Sequence, residues 1–93
     1  MSYKIKKHSY DQALKLGLII IPSRRGLYKI DVYDFDENYI TSIGNKNYGD
    51  YPSYIESDGK AYADQRRALY KKRFEKTRHI VGARSWFADQ LLW

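Results

Sequence analysis

KAYADQRRALYKKRFEKTRH, residues Lys60–His79, runs without proline or internal glycine and is filled by Ala, Gln, Lys and Arg, all good helix formers. Lys60, Arg66, Arg67, Lys71, Lys72, Arg73, Lys76 and Arg78 stand against only Asp64 and Glu75, a net charge of +6 that equals the charge of the whole chain. Tyr62, Leu69, Tyr70 and Phe74 lie between the charges. The stretch reads as one long basic helix, closed by Ile80-Val81-Gly82, with the remainder of the chain built to hold it.

Outward from this helix, the preceding sequence reads as three short strands. Leu18–Ile21 is β-branched and ends at Pro22. Leu27–Phe35 alternates, with Tyr28, Ile30 and Val32 on one face. Asp36-Glu37-Asn38 is a hairpin turn, and Tyr39–Ile43 returns as a third strand ending at Gly44. An antiparallel β-meander of this size needs cover on one face, and the long helix is the expected cover. The fold class expected is therefore α+β: a three-stranded antiparallel β-meander packed against one long basic helix, with short helices at the N- and C-terminal ends.

The flanks fit that plan. Residues 1–7 form a basic arm, expected to fray. His8–Leu16 reads as a helix with Ser9 as N-cap, Gly17 as its stop, and Ala13, Leu14 and Leu16 toward the core. Asp50-Tyr51-Pro52 marks the start of a short helix over Pro52–Glu56, broken by Ser57-Asp58-Gly59. Ser85 is the expected cap of a last helix, Trp86–Leu92, and Trp93 is expected to anchor in the body. Ninety-three residues make a single domain.

Composition narrows the function. Without cysteine there is no disulfide and no thiolate metal site, and two histidines do not make metal-ligand spacing. The longest apolar run, Leu16–Pro22, is too short to span a bilayer and too far along the chain for a signal peptide. A virion or host-intracellular location is expected, with no membrane partner and no cofactor. Charge is segregated. Residues 1–25 carry +5, residues 26–59 carry −5 and residues 60–93 carry +6. Such a bipolar chain favours a polyanionic partner at its basic face.

On a helical wheel of about 100° per residue, Arg66 and Arg73 fall inside the apolar arc with Tyr62, Leu69 and Tyr70. Arginines placed there call for a carboxylate, a stacked aromatic or an exit route. The expected solution is internal pairing with Asp31 or Asp34, the alternative being that one of them reaches through to a phosphate. Lys60, Arg67, Lys71 and Arg78 cluster on the exposed arc. With Lys4, Lys6 and Lys7 of the arm, they are the expected phosphate contacts. A second use of the aromatic-basic mix is a single-strand or RNA platform, with Tyr28, Tyr33 or Tyr39 stacking on bases.

The run Tyr62-Ala63-Asp64-x-Arg66-Arg67-x-x-Tyr70-Lys71-Lys72-Arg73-x-Glu75-Lys76, followed by Ala88-Asp89-x-Leu91-Leu92-Trp93, resembles a family of small basic proteins of large double-stranded DNA viruses and tailed phages. Ile30-Asp31-Val32-Tyr33, Ser42-Ile43-Gly44 and Asp50-Tyr51-Pro52-x-Tyr54 fit the same pattern. Where that pattern has His after Lys-Lys-Arg, this chain has Phe74. The resemblance implies a viral or phage setting and no mechanism. The function expected is a non-enzymatic nucleic-acid-binding protein, DNA ahead of RNA. The alternative is a virion structural or cement protein that meets an acidic protein surface through the same basic face. A Mg²⁺-dependent nuclease using Asp34 and Asp36 ranks third.

Overall fold

The computed structural model describes residues 3–93. Along the chain, α1 (Lys7–Leu16) leads into β1 (Leu18–Pro22), β2 (Tyr28–Asp34) and β3 (Tyr39–Asn45). Three further helices follow: α2 (Tyr51–Asp58), α3 (Lys60–Arg73) and α4 (Arg84–Leu92). The strands form one antiparallel sheet in the order β1-β2-β3. Register places Ile20 opposite Val32, and Ile30 opposite Ile43. These four, all buried, form one apolar face. On the reverse, Asp31 sits opposite Ser42, as strand alternation requires.

The cover over the apolar face is not the long helix. α1 packs on β1, α4 packs on β3 and on α1, and α3 packs on α2. The core joins Ile5, Ala13, Ile20, Ile30, Val32 and Ile43 to Phe87, Leu91 and Leu92 of α4. Each of those α4 side chains contributes about 2–3 kcal/mol by burial. α3 buries only Ala63, because its other apolar side chains are rings with polar tips or alternate with charge. The basic helix is also shorter than expected. It ends at Arg73, and residues 74–83 run on in turns. Gly59, at φ +87, is the sole residue between α2 and α3, so the two helices pack on each other.

The N-terminal residues are held down rather than frayed. Ile5 is in the core, Lys6 pairs with Glu56 at 2.6 Å, and the Tyr3 hydroxyl donates to Asp50 Oδ2 at 2.6 Å. Met1 and Ser2 lie outside the described residues. Ser9 does not cap α1. Its hydroxyl is buried and donates to the Leu91 carbonyl at 2.6 Å, tying α1 to the last turn of α4. Leu14 is 75% exposed instead of core-facing, since α1 turns Ala13 and Ser9 inward. Gly17 does stop the helix, in the left-handed region at φ +71. α4 starts at Arg84, without a side-chain cap from Ser85. Gly44 (φ +76) is a close-approach glycine: a Cβ there would stand 2.8 Å from Leu92 Cδ1, against the seat of α4 on β3.

Asp50 is the N-cap of α2, its carboxylate accepting from the Ser53 amide at 3.0 Å. The same carboxylate takes the ammonium of Lys29, from β2, at 2.8 Å. Their side chains are only 4% and 1% exposed. Burial pushes the Asp50 carboxyl up, but the charge and hydrogen bond of Lys29, with the bonds from Tyr3 and Ser53, outweigh it and hold it below the ordinary range. Asp50→Ala is expected to lose about 3–5 kcal/mol in urea unfolding, because Lys29 is left buried and unpaired. The double variant with Lys29→Met should recover much of that loss. For the native protein the pair's contribution is complete above about pH 4, the ordinary carboxylate range. It is lost as pH falls through the depressed folded value, which acid titration of unfolding would follow.

Candidate functional site

Most of the cations expected to meet a ligand are engaged within the fold. Lys7 pairs with Asp11 at 2.7 Å, Lys60 with Asp64 at 2.8 Å, and Lys6 with Glu56. Lys71 on α3 reaches the buried Asp89 of α4 at 2.8 Å, and Arg78 approaches the other oxygen of Asp89 at 3.7 Å while bonding Glu75 at 2.8 Å. Arg67 lies over the Tyr51 ring at 4.7 Å, with its Nε buried. Across that ring His8 meets Tyr51 edge-on at 5.9 Å. Burial and the Arg67 charge lower the His8 pKa. Of the seven expected contacts, Lys4 alone is exposed with no ion-pair partner among the described residues.

The residues expected to pair internally behave in the opposite way. Asp31 does not meet Arg66 or Arg73. Its buried Oδ1 accepts from Ser23 and Ser42, both at 2.6 Å, and Oδ2 faces Arg25 Nε at 3.5 Å. Asp34 closes the β2–β3 turn, accepting from the Asp36 and Asn38 amides at 2.9 Å and from the Asn38 side chain at 3.1 Å. The amide and side chain of Asn38 hold that carboxyl below its ordinary range. Arg66 instead lies over Tyr54 at 5.4 Å and Arg73 over Phe74 at 5.3 Å, both exposed and outside every ion pair of the described residues. The pairing fails because it required α3 to lie on the sheet, and α3 lies on α2.

What Arg66 and Arg73 border is a groove of about 690 Å³ where α3, α4, the chain end and the strand ends converge. An aromatic ladder runs along it. Phe74 meets Tyr70 at 4.7 Å, and Tyr70 stacks on Trp93 at 4.7 Å with planes 9° apart. Trp93 continues to Tyr54 at 6.3 Å, which contacts Tyr62 edge-on at 5.5 Å. Trp93 is thus anchored, as its sequence position implied. The Tyr70 hydroxyl donates to the Ser85 carbonyl at 3.2 Å, and burial, with the Asp89 charge, pushes its pKa up. Gly49 lets the Tyr54 ring rest against backbone, because any Cβ there would overlap the ring.

A third arginine, Arg84 at the start of α4, lies over Tyr28 at 5.1 Å and lines the same groove. No Asp or Glu side chain lines the groove among the described residues. Sequence reading assigned Arg84 no role and placed Tyr54 only within the family pattern. The signal available was the eight-residue spacing of Tyr54, Tyr62 and Tyr70, close to one helix face in the last pair. A smaller cavity of about 460 Å³ lies beside Arg24, Arg25, Asp31 and Tyr33, but the Asp31 oxygens are already committed to Ser23, Ser42 and Arg25. No three-residue cluster able to hold a metal ion, and no helix long and apolar enough to cross a membrane, occurs among the described residues. No protein-family model matches the chain, and no curated protein or solved structure is significantly similar to it.

The two sets of cations separate in a stability measurement. Lys71→Ala and Arg78→Ala each remove a partner of buried Asp89 and should lower urea-unfolding stability by about 1–3 kcal/mol. Arg66→Ala and Arg73→Ala remove only exposed ring contacts and should cost about 1 kcal/mol or less.

Proposed function

We propose that the protein binds nucleic acid without acting on it chemically, in a viral or phage setting, and that its phosphate contacts come from the groove. Arg66, Arg73 and Arg84 are the contact residues, with exposed Lys72 and Lys76 beside them in sequence. The observation that carries this reading is the pairing pattern. Lys71 and Arg78 are tied to Asp89, Lys60 to Asp64, and the arm lysines Lys6 and Lys7 to Glu56 and Asp11. The three groove guanidiniums enter no ion pair among the described residues. Each rests on a ring, which keeps the planar fork oriented while leaving its N–H donors for an oxygen ligand. A net charge of +6 supplies long-range attraction to a polyanion.

The expected kind of function is retained in this proposal and assigned to other residues. Phosphate contact shifts from the exposed arc of Lys60, Arg67, Lys71 and Arg78 to the groove arginines. Lys4 remains available as an outlying contact.

Fluorescence anisotropy of a labelled oligonucleotide across a salt series tests this. Five phosphate contacts give a log–log slope of about −3.5 to −4.5. The triple variant Arg66→Ala, Arg73→Ala, Arg84→Ala should weaken binding and make the slope shallower by about 2 to 3. Lys60→Ala and Lys7→Ala should leave it nearly unchanged. A native protein that retains no DNA or RNA at roughly 50 mM salt would refute the reading.

A further inference from the structure

We infer that the groove is built for unpaired strands rather than for duplex, an inference that rests on the nucleic-acid reading above and specifies its ligand. Phosphate contact alone needs only a convex or flat basic surface, because duplex phosphates lie on the outside of a cylinder. Here the arginines instead border a concavity of about 690 Å³ whose lining includes the connected rings of Phe74, Tyr70, Trp93 and Tyr54. That volume lies within the range of sites that enclose a flat organic ligand. Rings are of no use to a base-paired helix, whose bases already stack on one another. They are of use to a strand whose bases turn inward.

Tyr48 makes the distinction sharpest. It lines the groove mouth, is 72% exposed, and has no ring or guanidinium partner among the described residues, unlike Tyr28, Tyr54 and Phe74. Its backbone is nonetheless held, the amide donating to the Asn45 carbonyl at 3.0 Å. An exposed aromatic ring on a hydrogen-bonded turn, stacked on no other ring, is a platform for one base. Leu69, exposed on α3, adds apolar surface to the same groove. Bases further in can stack on the guanidinium groups of Arg66, Arg73 and Arg84, whose Cζ atoms lie 5.1 to 5.4 Å from a ring centroid. Side-chain groups that read base edges are few in the lining, so the binding is sequence-tolerant.

The test compares one labelled single strand of mixed sequence with the blunt duplex made from it, at equal salt. The native protein should favour the single strand by at least tenfold. Tyr48→Ala should reduce single-strand affinity by about tenfold, with duplex affinity and the single-strand salt slope unchanged, and Tyr48→Phe should restore it. Tyr48 is exposed, so neither change threatens the fold, and circular dichroism confirms this in each sample. Equal affinity for duplex, or a neutral Tyr48→Ala beside a sensitive triple-arginine variant, overturns the single-strand inference while leaving nucleic-acid binding intact. Absence of binding to either oligonucleotide overturns both. Displacement by polyglutamate of matched charge as effectively as by unlabelled single strand also overturns it, since a site for charge alone would not need the rings.

Discussion

The buried ion pair between Lys29 and Asp50 is the constraint on which the arrangement of the chain depends. Two opposite charges at 2.8 Å, both nearly sealed from water, are tolerated only when each is fully partnered. Asp50 satisfies that condition by serving three elements at once. It caps α2 through the Ser53 amide, holds the β2 ammonium, and receives the Tyr3 hydroxyl from the N-terminal segment. The sheet, the helical pair α2–α3 and the chain start are therefore locked at one point. That is why residues 3–6, basic and seemingly free in the sequence, are docked.

From this point the position of α3 follows. α2 leaves Asp50 along a direction fixed by its cap, and the single glycine linker turns α3 back upon it. The sheet is left to α1 and α4, whose Ala13, Phe87, Leu91 and Leu92 complete the core. α3 is fastened elsewhere, by Lys71 to Asp89 and by the stacking of Tyr70 on Trp93. A helix held along one edge by an ion pair and along another by rings leaves a groove between, and its Arg66 and Arg73 line that groove. The same two anchors that stabilise α3 thus create the candidate site.

The wheel and the structure disagree in an instructive way. The wheel set Arg66 and Arg73 apart from Lys71 and Arg78. The structure also separates them, Lys71 from α3 and Arg78 from the turns beyond it both meeting Asp89. The internal carboxylate pairing went to the group expected to be free, because a wheel contains no information about which neighbour a face meets. With a sheet beneath, Arg66 and Arg73 would have needed Asp31 or Asp34. With α2 and Trp93 beneath, they rest on Tyr54 and Phe74 at the groove, while the opposite flank meets Asp89. Asp31 and Asp34 satisfy local hydroxyls and turn amides instead.

Local features were legible in the sequence by itself. Three strands with alternating or β-branched residues, a Gly17 stop, an Asp50 cap before Pro52, and an aromatic C-terminus all follow from period, turn chemistry and capping, which act over a few residues. The antiparallel sheet and the α+β class follow from these too. Tertiary structure alone decided which helix covers the sheet, where the basic helix ends, and which cations meet a carboxylate. Those outcomes depend on contacts such as Lys29–Asp50, Lys71–Asp89 and Tyr70–Trp93, separated by 18 to 23 residues. No helical or strand period reaches across such spans, so which partners meet is a property of packing.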